Sequence, residues 1–304
     1  MKRFLASLSC LLFLSAFSLS QVSSSFATGP NGVHGTMRFY SPHYRGPVIA
    51  GAPYSAERVS EHVQTLADGT HINQTNQLVK VYRDSMGRTR VERPAFRGPI
   101  EKRANWVESP IVVEINDPVA HVRYVFILEE QIAHRQALPA DNSRAAFPLG
   151  QRGNAPADGT TGVIAIAEDL DDSVPPPPPV RAPAPSTGAR QRVNNPEHLQ
   201  ITKEDLGSQT IEGVEVEGKR RTMTWPADAI GNDAPITNTS ETWTSPALKE
   251  VIVRKSDDPR YGEHTFKLVN INRSEPDASL FEPPPGYTVK DETGEFTINW
   301  AVPR

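Results

Sequence analysis

Residues 241–289 decide the fold of this chain, and they read ETWTSPALKEVIVRKSDDPRYGEHTFKLVNINRSEPDASLFEPPPGYTV. Apolar and polar residues alternate along much of this stretch, as they do in half-buried strands. It predicts three strands, at residues 242–244, 248–255 and 263–273. A tight turn is predicted at residues 257–262, because Pro259 presets φ and Gly262 tolerates positive φ.

The end of this stretch is predicted to fold back over the sheet. After Pro276 a short turn precedes Leu280 and Phe281, and three prolines follow at residues 283–285. Since proline cannot extend a central strand, the chain stops there, and the two apolar side chains are expected to pack back toward the sheet.

Turn signals and alternating segments predict further hairpins upstream and downstream. Asp68-Gly69 is a strong hairpin signal and favours a strand over residues 55–66, although the apolar spacing there also fits a helix. More strands are predicted at residues 70–73, 78–83, 88–93, 111–116, 121–128, 131–138, 201–211 and 219–225. About eleven antiparallel strands with few short helices predict an all-β protein.

Three short stretches predict the connections in the C-terminal part of the chain. Glu212-Gly213 and Glu217-Gly218 predict turns, and residues 226–232 predict one helical turn that ends at a glycine. The strand predicted at residues 219–225 is therefore expected to begin only after Gly218.

The strand predicted at residues 121–128 is apolar on both faces. Val125 and Ile127 lie on one side, and four residues alternate on the other: Val122, Tyr124, Phe126 and Leu128. An antiparallel strand of this kind must be covered on both sides, by a second layer, a helix or a ligand.

The N-terminus has the features of a secretory signal peptide. A charged start and the apolar run at residues 4–19 precede a cleavage site before Thr28, with a cut after Ser20 as the alternative. Cleavage would remove the single cysteine, and the loss of Lys2 and Arg3 would take the formal charge from −4 to −6. We therefore expect an exported protein, periplasmic or extracellular, with no disulfide, no nucleic-acid partner and no stable membrane span after cleavage.

Composition divides the chain into six segments. They are a signal peptide at residues 1–27, a flexible lead-in at 28–54, the N-terminal half of a β domain at 55–139, a disordered proline-rich insert at 140–196, the C-terminal half of the β domain at 197–289, and at 290–304 a tail or edge strand formed through Phe296, Ile298 and Trp300. The insert has nine larger apolar side chains in 57 residues. Burial would bring roughly 2 kcal/mol for each of them, which cannot offset about 1–2 kcal/mol of backbone entropy per residue.

Short motifs in residues 243–287 resemble those of a group of uncharacterised exported bacterial β-rich proteins. They are W-x-S-P-x-L-K, D-P-R-Y-G-E, L-V-N-I-N and P-D-x-S-L-F-x-x-P-x-G-Y. The segments L-A-D-G-T-H-I at residues 66–72 and Y-R-D-S-M-G-R-T-R-V-E at residues 82–92 belong to the same resemblance, which covers about half of the mature chain. More distantly, the chain is similar to the LolA/LolB-type lipoprotein-carrier superfamily, which includes the sensor domain of the sigma-factor regulator MucB.

The distant resemblance implies a strongly curved antiparallel half-barrel. In that superfamily a concave apolar face holds acyl chains under a lid of helices. This chain has few helices, and it has a long insert where the family has a short link. None of the family's functional residues matches a position here, so the resemblance implies a shape and a class of ligand but no site residue.

The candidate ligand-binding residues are therefore large apolar side chains on predicted strands. The predicted apolar face consists of Val122, Tyr124, Phe126, Leu128, Met223, Trp225, Trp243, Phe266 and Leu268. Residues 83–103 carry seven basic and three acidic side chains, and Arg88 and Arg90 share a predicted strand face. These two arginines are predicted to form a basic rim for an anionic headgroup. The alternative is an exposed hairpin edge whose charge blocks edge-to-edge pairing.

No local motif in the sequence indicates catalysis. The eight histidines lack metal-ligand spacing, and His62 and His71, which could meet across a hairpin, would make only half of a zinc site. G-x-S-x-G, the P-loop motif and G-x-G-x-x-G are all missing. We expect no enzyme, no catalytic residue, no metal and no cofactor.

Two functions remain open at this point. The first is an exported non-enzymatic binding protein, a half-barrel that holds an apolar or lipid-like ligand at the cell envelope, with a lipid or a lipoprotein as its partner. The second is a structural or interaction protein of the envelope, with a closed core and an envelope protein as its partner.

Overall fold

The computed structural model describes residues 22–29, 32–40, 48–75, 78–95, 109–138, 164–166 and 199–302. These residues form seventeen strands and one short 3-10 helix at Ala278–Phe281. The strands are β1 (Val22–Gly29), β2 (Gly32–Phe39), β3 (Tyr54–Thr65), β4 (His71–Thr75), β5 (Val79–Arg83), β6 (Thr89–Pro94), β7 (Ile111–Asp117), β8 (Val122–Ile127), β9 (Ile132–Ala137), β10 (Ile164–Ile166), β11 (Gln200–Ile211), β12 (Val214–Trp225), β13 (Ile236–Ser245), β14 (Glu250–Asp258), β15 (Gly262–Asn272), β16 (Thr288–Asp291) and β17 (Phe296–Val302). The all-β prediction is confirmed, with more strands than the sequence suggested.

Thirteen strands form one large sheet. Its order is β11-β12-β13-β14-β15-β3-β5-β6-β7-β8-β9-β16, and β4 pairs with β3 beside β5. Neighbouring strands are antiparallel except β16, which runs parallel to β9. Because β3 pairs with β15, the N-terminal and C-terminal halves of the chain join into a single sheet. The sheet does not close, since β11 and β16 lie at opposite ends of the order.

Side chains that cross the sheet show how strongly it curves. Arg83 ends β5 and Glu250 begins β14, and β3 and β15 lie between these strands. Three strand spacings are about 14 Å in a flat sheet. Arg83 Nη1 nevertheless lies 3.6 Å from Glu250 Oε2, and Arg83 also donates to the carbonyl of Leu248. The face that carries these side chains is therefore concave, as the half-barrel prediction requires.

Both faces of β7 and β8 are covered by protein, and this accounts for the doubly apolar strand. On one face, Val112, Val125 and Ile127 pack with residues of β2 and β17. On the other face, Val113, Ile115, Phe126 and Ala133 pack under Phe281, with Leu280 and Tyr287 beside it. The prediction that the segment after Pro276 folds back onto the sheet is confirmed.

The cover on the first face is a second sheet, of order β10-β1-β2-β17. Met37 and Phe39 of β2 and Phe296, Ile298 and Trp300 of β17 are buried in its contact with the large sheet. The predicted strand in the C-terminal tail is thus present, at the edge of this second sheet.

The structure corrects the prediction for the lead-in and describes only three residues of the predicted insert. We expected a flexible lead-in at residues 28–54, but β2 lies there. Met37 and Phe39 occupy alternate positions in this strand, and the glycines before them conceal the alternation in the sequence. β1 includes Thr28, so cleavage before Thr28 would remove most of β1 and cleavage after Ser20 would leave it whole. The insert at residues 140–196 lies outside the described residues except for β10, which pairs with β1.

Local turn predictions were mostly confirmed. Gly69 and Gly262 both have positive φ in tight hairpin turns, and a side chain on Gly262 would overlap the carbonyl of Val63. Residues 226–232 form turns and bends rather than a helical turn. No helix in the described part of the chain has the length and hydropathy to cross a bilayer.

The turn predicted at Glu217-Gly218 was wrong, because both residues lie inside β12. Gly218 pairs with Trp243 of β13, and the indole ring lies over the glycine, where a Cβ atom would overlap it. This glycine makes room for a side chain on the neighbouring strand.

Gly218→Val is expected to lower the free energy of unfolding by about 1–3 kcal/mol, because the new side chain overpacks the site under Trp243. Thr222→Val is the matched control, since Thr222 is half-buried in the same strand and is expected to change stability by less than about 0.5 kcal/mol. Urea denaturation followed by tryptophan fluorescence measures both. Equal stability of the Gly218 variant and the wild type would contradict the assigned packing.

Candidate ligand-binding face

The register of β11–β15 aligns their residues in rows across the sheet. Since alternate residues of a strand face the same side, every second row shares a face. On one face the rows are Ile201, Met223 and Asn238; then Lys203, Arg221, Ser240, Ser256 and His264; then Asp205, Lys219, Thr242, Arg254 and Phe266. Trp225 lies on the same face, two residues after Met223. We call this surface the open concave face.

The alternation along β15 and β3 identifies this surface as the concave side. Phe266 and Leu268 share a face, and Leu268 pairs with Arg58 of β3. Arg58 shares its face with Tyr54, whose hydroxyl donates to Glu250 Oε2 at 3.4 Å across the sheet. The open concave face therefore continues into the buried core at its β3 end.

The apolar part of the open concave face is only half-buried. Met223, Trp225 and Phe266 are each partly exposed, and Ile201 on the outermost strand β11 is 46% exposed. The second sheet and the segment at residues 278–287 cover β7 and β8 instead. Among the described residues, the cover of the large sheet is thus concentrated at its other end.

Arg260 partly covers Trp225. Its guanidinium lies 4.7 Å from the centre of the Trp225 ring, a cation–π distance. Asp258 accepts from Arg260 Nε at 2.9 Å and from Nη2 at 2.7 Å. These hydrogen bonds hold the pKa of Asp258 below its usual range and hold Arg260 against the tryptophan.

A buried polar cluster closes the β3 end of the face. Arg83 donates from Nε to the carbonyl of Ala52 at 3.0 Å, and its guanidinium lies 4.8 Å from the Tyr54 ring centre. Burial raises the pKa of Glu250 to about 7, although Arg83 and Arg58 oppose the shift. Burial, and then Glu250, also raise the pKa of the Tyr54 hydroxyl well above its ordinary value.

Two histidines meet on the open concave face, but not the two that the sequence suggested. His62 stacks on His264, with ring centres 3.9 Å apart, and His62 Nε2 lies 2.7 Å from the carbonyl oxygen of Tyr261. His71 instead contacts the hydroxyl of Thr65 at 3.1 Å. Burial, and then the neighbouring His62, lower the pKa of His264. In the described ranges, no three potential metal ligands come together.

The predicted apolar residues fall into two groups. Phe126 and Leu268 are fully buried, and Tyr124 and Trp243 are half-buried in packed clusters, so these four belong to the core. The others are accessible to different degrees: Val122 is half-buried, Leu128 is 43% exposed at the end of β8, and Met223 and Trp225 are neighbours on the open concave face. Phe266 lies on the same face three strands away, where it packs against the core cluster that contains Leu268. The structure thus brings two of the nine together at one accessible place.

Arg88 and Arg90 do not form the exposed rim that the sequence suggested. Arg88 Nε donates to Asp84 at 2.6 Å, and its guanidinium lies over the Phe281 ring. Arg90 is only 5% exposed, and it donates to Glu92 at 2.8 Å and to the carbonyl of Leu280 at 2.9 Å. Both arginines therefore contact the segment at residues 278–281, which packs over β7 and β8.

Sequence reasoning missed the cations of the open concave face, Lys203, Lys219, Arg221 and Arg254. Within each strand, alternation could have placed Arg221 beside Met223. The register between strands, which brings the four together, cannot be read from alternation within any one strand.

Comparison with known proteins gives a likeness of fold only. No family model matches the chain, and no curated protein matches it. Among solved structures, an uncharacterised conserved protein from Thermus thermophilus has a TM-score of 0.32 at 8% identity, over 80% of this chain and 91% of that one. The Mycobacterium tuberculosis lipoprotein LppX has a TM-score of 0.24 at 12% identity, over 75% and 89% of the two chains. A LolA superfamily protein from Nitrosomonas europaea has a TM-score of 0.24 at 8% identity, over 77% and 91%.

The distant similarity that the motifs predicted therefore reappears among solved structures. The TM-scores are too low to support an argument about function, which has to come from the site itself.

Proposed function

We propose that this protein is an exported, non-enzymatic binding protein that holds an apolar or lipid-like ligand on its open concave face. A single observation carries the proposal. Met223 and Trp225 are neighbours on the open concave face and remain partly exposed, whereas the apolar residues of β7 and β8 are covered on both sides.

The energetics favour a ligand of modest size. Complete burial of a large apolar side chain contributes about 1.5–3 kcal/mol relative to exposure. Met223 and Trp225 are partly exposed and leave on the order of 1–2 kcal/mol unrealised, which a bound apolar chain recovers by excluding water from them. Concave apolar surfaces with a few polar groups nearby are typical of ligand sites.

Export is part of the proposal and rests on the sequence. The N-terminal apolar run has the length and charged start of a signal peptide. A location in the periplasm or outside the cell would bring the open concave face to the lipids and lipoproteins of the envelope.

The binding proposal predicts that the purified protein takes up a neutral apolar probe, 1-N-phenylnaphthylamine, with a rise in probe fluorescence. We expect Met223→Ser combined with Trp225→Ser to weaken this binding at least tenfold, about 1.4 kcal/mol, because both side chains would contact the probe. Val59→Ser combined with Val63→Ser is the matched control, since these half-buried residues lie on the opposite face. Weak or absent uptake by the wild type, or equal losses in both variants, would contradict the proposal.

A second candidate function is supported by the covered faces of β7 and β8. Phe126, Val125 and Ile127 are buried within the protein, so the doubly apolar strand requires no ligand. This favours a structural or interaction protein with a closed core at that end of the sheet. The two functions differ in the probe experiment, because only the binding protein takes up the neutral probe at Met223 and Trp225.

A further inference from the structure

Strand β11 forms a long free edge of the large sheet. It is the last strand in the order, and in the described part of the chain no strand pairs with its outer side. Ten of its twelve residues are exposed. A free edge presents a row of backbone N–H and C=O groups to any chain that can pair with them, so proteins usually keep such edges short or cover them.

The other described edges are short or covered. β16 at the opposite end of the large sheet has four residues, β4 has five and β10 has three. β17 has seven, but Phe296, Ile298 and Trp300 pack against the large sheet. β11 spans about 40 Å at the usual rise per residue, so it is the longest edge available for pairing among the described strands.

The hairpin between β11 and β12 shows which backbone groups point outward. Residues 211 and 214 pair across a two-residue turn, and both turn residues have positive φ. In such a hairpin the closing pair exchanges hydrogen bonds, and bonded and non-bonded pairs alternate from there. The N–H and C=O groups of Ser208 and Thr210 therefore point away from β12.

One extra residue in β11 changes the alternation in its first half. The register shifts between Asp205 and Gly207, whereas β12 continues regularly. When the alternation is followed along β12, the backbone groups of Ile201 and Lys203 are the ones that point away from it. Both halves of β11 thus offer outward pairing groups.

These outward groups are complementary to those of a second copy of β11. In an antiparallel pair, outward positions must face outward positions. A two-fold axis between residues 205 and 206 meets this requirement, because it places Ile201 opposite Thr210 and Lys203 opposite Ser208. This alignment pairs all twelve residues of the strand.

The same alignment avoids contact between like charges. Like charges directly opposite each other on neighbouring strands are destabilising, and an axis through any of the three charged residues of β11 would place that charge opposite its own copy. In the proposed alignment each charged residue faces an uncharged one: Lys203 faces Ser208, Glu204 faces Gly207, and Asp205 faces Leu206. Glu204 also keeps its ion pair with Arg220 of its own chain.

We propose that β11 pairs antiparallel with β11 of a second copy of this chain, so that the two large sheets join across a two-fold axis. The interface is the same surface on both copies, so assembly stops at a dimer. A single strand pair lies at the small end of specific interfaces, and the dimer is therefore expected to dissociate on dilution. This inference does not depend on the proposed ligand.

Sedimentation velocity tests the dimer over protein concentrations between about 1 and 100 μM. We expect the wild type to change from monomer to dimer over this range. Ser208→Pro is expected to weaken the dimer at least tenfold, because it removes an outward N–H from both copies and leaves the bonds to β12 in place. Far-UV circular dichroism checks that the variant keeps its sheet.

Two charge variants test the register without a proline. Ser208→Lys places a lysine opposite Lys203 of the second copy in both symmetric positions, and it is expected to weaken the dimer at least fivefold. Ser208→Glu creates opposite-charge pairs at the same positions and is expected to strengthen the dimer at least threefold at low salt. Asn73→Lys, at an exposed position of β4, is the matched control and should leave the dimer within twofold.

Each contrary result identifies what fails. A wild type that stays monomeric, or a dimer that Ser208→Pro does not weaken, would overturn the pairing of β11. Equal effects of Ser208→Lys and Ser208→Glu would overturn the alignment, and species larger than a dimer would overturn the two-fold interface. None of these results bears on uptake of the neutral probe, so the proposed function is tested separately.

Discussion

Replacing Arg123 with methionine is expected to lower the free energy of unfolding by about 3–5 kcal/mol. Arg123 has no exposed surface, and it lies where the large sheet meets the second sheet. Its Nε donates to Glu114 Oε1 at 3.0 Å, and its Nη1 donates to Gln136 at 2.9 Å and to the carbonyl of Tyr40 at 3.3 Å. Removal of the guanidinium would leave the buried Glu114 carboxylate without the positive charge of Arg123.

Urea denaturation measured by tryptophan fluorescence gives this loss, because Trp300 is buried in the same contact between the sheets. Arg135→Met is the control: Arg135 pairs with Asp291 at the surface, and exposed pairs contribute less than about 1 kcal/mol. Arg123→Met combined with Glu114→Leu is expected to recover much of the loss, because no buried charge remains. If Arg123→Met costs no more than Arg135→Met, the buried network does not hold the sheets together.

Replacing Phe281 with alanine is expected to cost a similar amount, about 3–5 kcal/mol. Phe281 is 1% exposed and ends the 3-10 helix, where Asp277 caps the first turn by accepting from the Ser279 N–H at 2.9 Å. Its ring covers Ile115 and Phe126 of the large sheet. The truncation would therefore leave a cavity over the apolar face of β7 and β8.

Two measurements check this prediction. Urea denaturation gives the loss of stability, and the fluorescence of an apolar dye reports whether the face beneath the segment becomes accessible. Ser279→Ala, an exposed position in the same helix, is expected to change stability by less than about 0.5 kcal/mol. A Phe281 variant with wild-type stability and no added dye binding would show that the segment does not cover the sheet in solution.

Much of the fold was predictable because its signals are local. The Asp68-Gly69 pair and the turn that contains Gly262 fixed two hairpins correctly. The alternation along residues 55–66 indicated β3, although a helix was also compatible. The errors arose where glycine had a role other than turning the chain. Gly218 lies under Trp243 in the middle of β12, and the sequence does not contain that contact in any local form.

The candidate site was predictable only in part. Met223, Trp225 and Phe266 were predicted to bind a ligand because of their apolar character. The structure places all three on one face of the sheet, with Met223 and Trp225 adjacent and Phe266 three strands away. Phe126 had the same character but is buried by Phe281, 155 positions further along the chain. The four cations were missed, because they become neighbours only when four strands are in register.

The sequence by itself determined the strands, most hairpins and the segment that folds back at Phe281. These follow from alternation and turn chemistry, which act over a few residues. Only the tertiary structure decided which faces are covered. That depends on pairings between distant residues, such as β3 with β15 and β17 with β2. Such pairings minimise exposed apolar surface over the whole chain, so no local pattern reveals which face remains open for a ligand.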